Sequence, residues 1–301
     1  MHDIIIVGGG PAGLTAAIYG LRAGKSVLVI EKAGFGGQIA FSPKVENIPG
    51  TASISGSEFA DKLTEQAMAL GADVELENVT EVIPGDTFTV CTEEGGRYEG
   101  KSVILSVGVK HRTLGLPGEE EWIGNGISFC AVCDGAFYTG QDVVMIGGGN
   151  SAMQEALLLS EVCRKVTIVQ NLGFFTGEQK LADALAGKEN VQVHFSTLVD
   201  GYLSENGALA GVRVKNEAGE RWDIRCDGVF LAVGLQPENA AFAALAQLDD
   251  RGYFDTDEFC VTKTPGLFVA GDCRRKHIRQ VTTAAADGAV AAMAACRYLD
   301  N

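Results

Sequence analysis

Two cysteines and an aspartate lie close enough in the sequence to carry out redox chemistry together. Cys130 and Cys133 form a C-x-x-C motif, and Asp134 follows directly. At the start of a helix this spacing brings two thiols within bonding distance, and the helix dipole lowers the pKa of one of them. Such a pair cycles between dithiol and disulfide by thiolate attack, and a neighbouring carboxyl group can transfer the proton. We therefore expect a redox-active disulfide with Cys130, Cys133 and Asp134 as catalytic residues.

Half of a zinc site is the alternative interpretation of the C-x-x-C motif. A structural zinc site needs a second C-x-x-C or a pair of histidines, and the sequence contains neither. We therefore expect no metal. The other six cysteines have no metal-ligand spacing and are expected to be buried or half-buried free thiols: Cys91, Cys163, Cys226, Cys260, Cys273 and Cys296.

The redox motif lies between two copies of a β-turn-α-β unit, and the first copy opens the chain. An apolar run, Ile4–Val7, leads into Gly8-x-Gly10-x-x-Gly13, a helix, and a strand of residues 26–30 that ends at Glu31. The glycines permit a tight turn and the close approach of a pyrophosphate to the helix N-terminus. Glu31 lies where a carboxylate reaches ribose hydroxyls. This copy therefore predicts an adenine dinucleotide site.

The second copy follows the redox motif. It consists of strand 142–146, the turn Gly147-x-Gly149-x-x-Ala152, helix 154–163 and strand 165–169. Strand, turn and helix signals return near the C-terminus, with an apolar helix over residues 282–299. The pattern predicts an α/β protein with two Rossmann-like dinucleotide-binding domains, the second inserted in the first. We place the first domain at residues 1–111 and 238–301, and the second, with the C-x-x-C, at 112–237.

Composition narrows the class of partner. The chain has 301 residues, 46% hydrophobic and 21% charged, with a formal net charge of −15. This charge disfavours binding to nucleic acid or to an anionic membrane. No uninterrupted apolar run approaches the roughly 20 residues of a membrane span, and the chain enters a strand at once, without a signal-peptide pattern. We therefore expect a cytoplasmic protein.

Over nearly its whole length the chain resembles the low-molecular-weight flavoprotein thioredoxin reductases. The matching segments are GGGPAGLTAAIYGLRAG, GGQIAFSPKVENIPG, ILSVGV, CAVCDG, GGGNSAMQEALLLS, GVFLAVGLQPENAAF and GLFVAGDCRRKHIRQVTTAAADG. The resemblance implies that Cys133 faces the flavin, Cys130 exchanges with the disulfide of thioredoxin or a thioredoxin-like protein, and Asp134 shuttles the proton. It also implies a homodimer and an FAD held in the first domain by Gly8, Gly10, Gly13, Glu31, Gln38, Asn47, Asp272, Arg279, Gln280 and Val281.

The chain departs from this family where NADPH is recognised. In the NADPH-dependent members the strand after the second glycine turn runs into HRRxxxR, whose arginines bind the 2′-phosphate. The corresponding residues here are Gln170, Asn171, Leu172 and Thr176, all neutral. NADH lacks a recognition group as well, because no Asp or Glu stands there for the ribose diol. In this respect the chain resembles the ferredoxin-dependent flavin thioredoxin reductases, so we expect reduced ferredoxin as the electron donor.

Three alternatives to this interpretation stay open. The enzyme is pyridine-nucleotide-dependent after all, or Gly147–Ala152 holds a second dinucleotide or FAD, or the chain is a redox-sensing protein without turnover. The glycines of the second turn also persist for a simpler reason if helix and strand pack closely there. Ferredoxin docking in an acidic chain needs a local basic patch, and the candidates are residues 110–112 and 274–279. For Arg274, Arg275 and Lys276, a solvated basic segment is the alternative.

Overall fold

The chain folds into two α/β units. The computed structural model describes residues 1–42 and 45–301, and all of their side chains except those at positions 41, 132 and 133. This part of the chain forms one compact unit from Met1–Lys110 with Pro237–Asn301, and a second from His111–Gln236. The second unit is therefore an insertion in the first.

The secondary structure of the described residues alternates between strands and helices. The strands are β1 His2–Val7, β2 Val27–Glu31, β3 Asp73–Leu76, β4 Val79–Ile83, β5 Phe88–Thr92, β6 Arg97–Leu105, β7 Val109–His111, β8 Ile127–Ser128, β9 Asp142–Ile146, β10 Lys165–Val169, β11 Val191–His194, β12 Thr197–Glu205, β13 Ala208–Asn216, β14 Arg221–Arg225, β15 Gly228–Leu231, β16 Leu235–Pro237 and β17 Leu267–Val269. The α-helices are α1 Pro11–Arg22, α2 Gly56–Ala69, α3 Glu119–Trp122, α4 Ala131–Asp134, α5 Asn150–Val162, α6 Gln179–Ala186 and α7 Val281–Asp300. Short 3₁₀ turns cover Gly37–Phe41, Gly135–Tyr138 and Ala240–Phe242.

A parallel sheet forms the core of the first unit. Its strands follow the order β3-β2-β1-β6 with β17 beside β6, and the antiparallel strands β5 and β4 extend it. Ile4, Ile5 and Ile6 of β1 are 0% exposed, because a central parallel strand is covered on both faces. On one face α7 packs against α1, and a Cβ at Gly288 would lie 2.1 Å from the Ala12 carbonyl oxygen. Gly288 thus permits the close approach of the two helices.

The second unit repeats this plan around a smaller sheet. Its parallel strands follow the order β11-β10-β9-β15-β8, and β12, β13 and β14 form an antiparallel sheet. Alternate residues of β9 pack on opposite faces: Met145 joins the cluster around α5, and Val144 joins the cluster that includes Val212 of β13. The inserted unit therefore has a core of its own.

The structure confirms the predicted fold class and moves some element ends. Helix α5 begins at Asn150, four residues before the predicted start, because Gly149 already has the extended backbone of an N-cap, with φ −88° and ψ −178°. Among the described cysteines, the six predicted free thiols are confirmed, with Cys91 half-buried and the others buried. None of the helices in the described residues has the length and apolarity that a membrane crossing requires.

Candidate functional site

The redox motif lies at the end of β8, in the second unit. Cys130 follows Phe129 and is disulfide-bonded, whereas the predicted catalytic side chain of Cys133 lies outside the described residues. Helix α4 after Cys130 is a single turn that continues into the 3₁₀ turn Gly135–Tyr138. So short a helix aligns few peptide dipoles. The ionisation of the thiols therefore depends on the polar side chains around them.

One of these side chains is Ser128, which connects Asp134 to the backbone of Cys130. The buried Ser128 hydroxyl donates to Asp134 Oδ2 at 2.6 Å and accepts from the Cys130 amide at 3.0 Å. A hydroxyl can donate once and accept as well, so both bonds form at the same time. Ser128 therefore fixes the predicted proton-transfer group relative to the redox pair. The sequence offered a small signal for it, a polar residue at the end of a buried strand.

A second polar side chain, Glu155, reaches the redox motif from α5. Its Oε2 accepts a hydrogen bond from the Ala131 amide at 3.3 Å. Burial raises the pKa of Glu155 to about 7, against a smaller opposing effect of the Ala131 hydrogen bond. The sequence analysis missed this residue, although its position is readable: it lies three residues after Ala152 and four before Leu159, both buried, on the same helix face.

The first glycine turn has the shape that a pyrophosphate requires. Gly8 has φ +105°, and a Cβ there would lie 2.4 Å from the Ser106 carbonyl oxygen. A Cβ at Gly13 would lie 1.9 Å from the Gly8 carbonyl oxygen, whereas one at Gly10 would meet nothing closer than 4.0 Å. Gly8 and Gly13 are thus required by packing, and Gly10 leaves open space at the N-terminus of α1. This is the arrangement that lets a phosphate approach the backbone.

Glu31 closes the other side of this turn. Its carboxylate, 9% exposed, accepts from the Gly9 amide at 2.6 Å and from the Ala33 amide at 3.0 Å. A carboxylate has about four acceptor positions, so two stay available for hydroxyl groups of a ligand. Glu31 therefore orders the turn and can still bind a ribose.

The remaining residues that the resemblance assigns to FAD lie in the first unit in small bonded groups. Asn47 Nδ2 donates to Gln280 Oε1 at 2.9 Å, and Gln38 Nε2 donates to the Val109 carbonyl oxygen. Gln280 is the N-cap of α7 and forms a capping box with Thr283, so Val281 is the first residue of that helix.

Arg279 and Asp272 form another of these groups. Arg279 Nε donates to the Asp272 backbone oxygen at 3.3 Å, and the guanidinium carbon lies 4.1 Å above the centre of the Tyr253 ring. Stacking of this kind holds the guanidinium group of Arg279 in one orientation, which its charge alone would not do.

Asp272 tests whether these residues fit a cofactor. Among the described residues its buried Oδ1 has no hydrogen-bond partner, and the nearest cation, Lys276 Nζ, is 3.6 Å away. Burial also raises the pKa of Asp272. A buried acceptor without a donor is costly, and a cofactor hydroxyl would supply the donor. With the open space at Gly10, this makes the first unit fit FAD.

In the basic run at residues 274–276, which the sequence suggested as a docking patch or a solvated segment, two of the three cations pair with one buried aspartate. Arg274 binds both carboxylate oxygens of Asp287 at 2.8 Å, and Lys276 Nζ binds the same carboxylate at 2.9 Å. The side chains of Arg274 and Lys276 are 13% and 7% exposed. Both cations neutralise a buried aspartate of α7, which the sequence analysis missed. Of the three, Arg275 is the exposed one, and it pairs with Asp255 at 3.1 Å.

The second glycine turn repeats the packing of the first and is covered in addition by the side chain of Gln170. Gly147 has φ +130°, and a Cβ there would lie 2.3 Å from the Ala232 carbonyl oxygen. Gln170 covers Gly148, since a Cβ at Gly148 would lie 2.5 Å from the Gln170 side chain. Gln170 itself is 4% exposed, and its Nε2 donates to the Phe174 carbonyl oxygen at 3.1 Å. The side chain of Gln170, the residue expected at the ribose position, is therefore buried and already hydrogen-bonded within the protein.

The other positions of the missing basic motif are exposed and carry no charge. Asn171, Leu172 and Thr176 lie on the surface after β10. Thr176 turns back to the glycine loop, with its amide donating to the Gly148 carbonyl oxygen at 2.8 Å and its hydroxyl to the same oxygen at 3.3 Å. None of these three side chains can bind a phosphate as a guanidinium does.

Known proteins resemble the chain along its whole length. The family model described as pyridine nucleotide-disulphide oxidoreductase matches residues 2–288. The thioredoxin reductase of Bacillus subtilis is 38% identical, over 100% of this chain and 96% of that protein.

Solved structures agree with these sequence matches. The thioredoxin reductase of Lactococcus lactis superposes with a TM-score of 0.96 at 35% identity, covering 100% of this chain and 99% of that one. The thioredoxin reductase of T. acidophilum gives a TM-score of 0.93 at 34% identity, with 98% of each chain covered. The chain therefore belongs to the pyridine nucleotide-disulphide oxidoreductase family.

Proposed function

We propose that the protein is a flavin-dependent disulfide reductase that reduces thioredoxin or a thioredoxin-like protein through Cys130 and Cys133. The observation that carries this proposal is the disulfide-bonded Cys130 beside the Ser128–Asp134 hydrogen bond, in a chain whose relatives include thioredoxin reductases. A disulfide that is only structural needs no carboxyl group held next to it. A carboxyl group held beside the two cysteines is what a dithiol needs to exchange protons during turnover.

FAD is the cofactor that we assign to the first unit. It would be held by Gly8, Gly10, Gly13, Glu31, Gln38, Asn47, Asp272, Arg279, Gln280 and Val281. When bound, it supplies the two electrons that convert the disulfide into a dithiol. The protein contributes acceptors at Glu31 and Asp272 and the amides at the start of α1 and α7, which favour negative charge.

The thiols then pass the electron pair to the partner by disulfide exchange. The Cys130 thiolate attacks one sulfur of the partner disulfide, forming a mixed disulfide and releasing one partner thiolate. The Cys133 thiolate attacks the Cys130 sulfur, which restores the protein disulfide and releases the second partner thiolate. Two protons must move from the protein thiols to the partner thiolates, and we assign their transfer to Asp134, held by Ser128.

We propose reduced ferredoxin as the electron donor, because no group suited to a nicotinamide dinucleotide follows β10. Hydrogen bonds to charged groups contribute about 1.5–3 kcal/mol each, and the positions of the basic motif supply none. Gln170 points to Phe174, so even a neutral bond to a ribose would require it to turn. Two separate exposed candidates stay for ferredoxin docking, Arg275 in the first unit and Arg112 in the second, whereas Arg274 is half-buried and paired with Asp287.

An anaerobic titration tests the donor. The oxidised FAD protein is mixed with excess NADPH, excess NADH or reduced ferredoxin, and the visible flavin band is followed. We expect bleaching by ferredoxin within seconds and none by either nucleotide. Bleaching by a nucleotide at a comparable rate would refute the donor assignment. Thioredoxin disulfide reduction by the ferredoxin-reduced protein then tests the acceptor.

A gain-of-function variant tests whether the missing basic residues determine the electron donor. Replacing the surface residues Asn171, Leu172 and Thr176 with arginine restores three cations at the positions of the basic motif. We expect this triple variant to be bleached by NADPH, whereas the matched triple alanine variant stays unreactive. If both triple variants behave alike, the missing charges are not what determines the donor.

One observation favours a second candidate function, a disulfide reductase with a nucleotide or second FAD in the inserted unit. A Cβ at Gly149 would meet nothing closer than the Thr176 hydroxyl, at 3.7 Å, so this end of α5 has room for a ligand. The FAD content of the purified protein distinguishes the two functions: a ratio of two FAD per chain supports the diflavin alternative, and a ratio of one supports the ferredoxin-dependent form.

A further inference from the structure

The buried face of α5 carries one ionisable side chain that touches the redox motif. Glu155 accepts a hydrogen bond from the Ala131 amide at 3.3 Å. This amide belongs to the peptide group that joins Cys130 to Ala131. The neighbours of Glu155 on this face, Ala152 and Leu159, are apolar and at most 1% exposed. Glu155 itself is half-buried, so its charge is screened less by water than that of a surface carboxylate and acts on the groups that it touches.

No other charge in the described part of the chain is hydrogen-bonded or ion-paired to Glu155. Helix α5 packs against α4, the 3₁₀ turn after it, α6, β9 and β10. The ionisable side chains that the structure describes on these elements have other partners or face solvent: Asp134 with Ser128, Tyr138 near Asp134 and Asp227, Asp183 with Gln179, Asp142 with Arg164, and Lys165 and Lys180 exposed. Burial is the main cause that raises the pKa of Glu155 to about 7, so the carboxyl changes charge near neutral pH.

We propose that Glu155 is a positioning residue for the redox pair, whose charge state sets how readily the Cys130 thiol ionises. A carboxylate next to the Cys130 peptide disfavours a thiolate there, and a neutral carboxyl does not. The reactive form for attack on a partner disulfide is the thiolate. Protonation of Glu155 therefore favours the attacking form of Cys130, and its ionisation disfavours it. This inference rests on the proposed disulfide-reductase function.

The test measures the reactivity of Cys130 itself as a function of pH. The full-length FAD protein carrying Cys133→Ser is reduced, treated with iodoacetamide from about pH 5.5 to about pH 8.5, and modification of Cys130 is quantified by peptide mass spectrometry. The same profile is recorded with Glu155→Gln added, which keeps an acceptor oxygen for the Ala131 amide but carries no charge. Glu161→Gln is the matched control, since Glu161 lies on the same helix, is 64% exposed and pairs with Lys188.

The ratio of the two rates is the result that distinguishes a charge effect from a structural one. We expect Glu155→Gln and its parent to react equally at the acid end. The variant should react increasingly faster than its parent as Glu155 ionises, with the change centred near pH 7. At weakly alkaline pH the ratio should approach about tenfold, which corresponds to about one pKa unit in the Cys130 thiol. A ratio that is the same at every pH overturns the proposal, as does an equal change in Glu161→Gln.

The parent protein gives a second test if Glu155→Gln does not fold. Its own profile should deviate from a single ionisation and show an added inflection near pH 7; a single smooth ionisation overturns the proposal. Neither measurement involves thioredoxin or an electron donor. If the protein shows the inflection but does not reduce thioredoxin, the proposed function is wrong and this inference stands. If it reduces thioredoxin but shows no inflection, the proposed function stands and this inference is wrong.

Discussion

Replacing Ser128 with alanine tests the link between the proton-transfer group and the redox pair. The substitution removes the 2.6 Å bond to Asp134 Oδ2 and the acceptor for the Cys130 amide. A hydrogen bond to a charged group contributes about 1.5–3 kcal/mol. Asp134 is only partly buried, so water replaces part of this bond, and we take the lower end, about 1.5–2 kcal/mol. At 1.36 kcal/mol per tenfold in rate, we expect Ser128→Ala to be about 10- to 30-fold slower.

The assay for this variant isolates disulfide exchange from the electron donor. Protein reduced beforehand with dithionite is mixed with oxidised thioredoxin, and a single turnover is followed. Ser160→Ala is the control, because Ser160 is also buried in the second unit but its hydroxyl donates to the Leu157 carbonyl oxygen of its own helix. Since Ser128 is argued to act through Asp134, Ser128→Ala combined with Asp134→Asn should be no slower than Asp134→Asn alone. Independent, additive losses, or a wild-type rate for Ser128→Ala, would refute the reasoning.

Three further predictions concern stability. Burial raises the pKa of Glu155 from 4.5 to about 7, so ionisation of this carboxyl destabilises the folded state as pH rises between these values. In urea unfolding, Glu155→Gln should be as stable as wild type below about pH 4.5. Above pH 7 it should be more stable by up to roughly 3 kcal/mol. Arg274→Ala should cost about 2–3 kcal/mol, because Asp287 stays buried with one cation fewer, whereas the exposed Arg275→Ala should cost less than about 1 kcal/mol. Equal losses in urea unfolding would contradict the role of Arg274 in neutralising Asp287. Tyr202 donates to Glu119 Oε1 at 2.7 Å, so Tyr202→Phe should lower the free energy of unfolding by about 1–2 kcal/mol, and an unchanged urea midpoint would contradict this.

The fold was readable from the sequence because its determinants are local. An apolar run, a glycine turn and a helix in direct succession leave few alternatives to a β-turn-α-β unit. The same holds for the neutral residues after β10, whose lack of charge is a property of the sequence alone. What a side chain such as Gln170 then contacts depends on the loop that follows it.

The errors and omissions at the site concern residues whose partners are distant in the chain or depend on an exact turn. Arg274 was assigned to the surface because a run of cations usually faces water, but Asp287 lies 13 residues later, on the buried face of α7. Ser128 meets Asp134 across the turn between β8 and α4, six residues later in the chain. A charge in a sequence does not reveal its counter-charge, so burial of an ion pair needs the structure.

The two glycine turns, compared residue by residue, yield a last prediction about the inserted unit. Gly147 is required by its positive φ and by the Ala232 carbonyl oxygen, so packing explains this glycine without a ligand, whereas a Cβ at Gly148 would displace the Gln170 side chain. Gly10 and its counterpart Gly149 are different. A Cβ at Gly10 would meet nothing closer than 4.0 Å, and one at Gly149 would meet nothing closer than the Thr176 hydroxyl, at 3.7 Å. If only the first turn binds a dinucleotide, Gly10→Ala should lower the FAD content of the purified protein severalfold, because a methyl group there obstructs the pyrophosphate, whereas Gly149→Ala should leave FAD content and turnover with ferredoxin unchanged. A loss of bound flavin or of activity in Gly149→Ala would mean that the second turn also holds a nucleotide, and the diflavin alternative would replace the ferredoxin-dependent form.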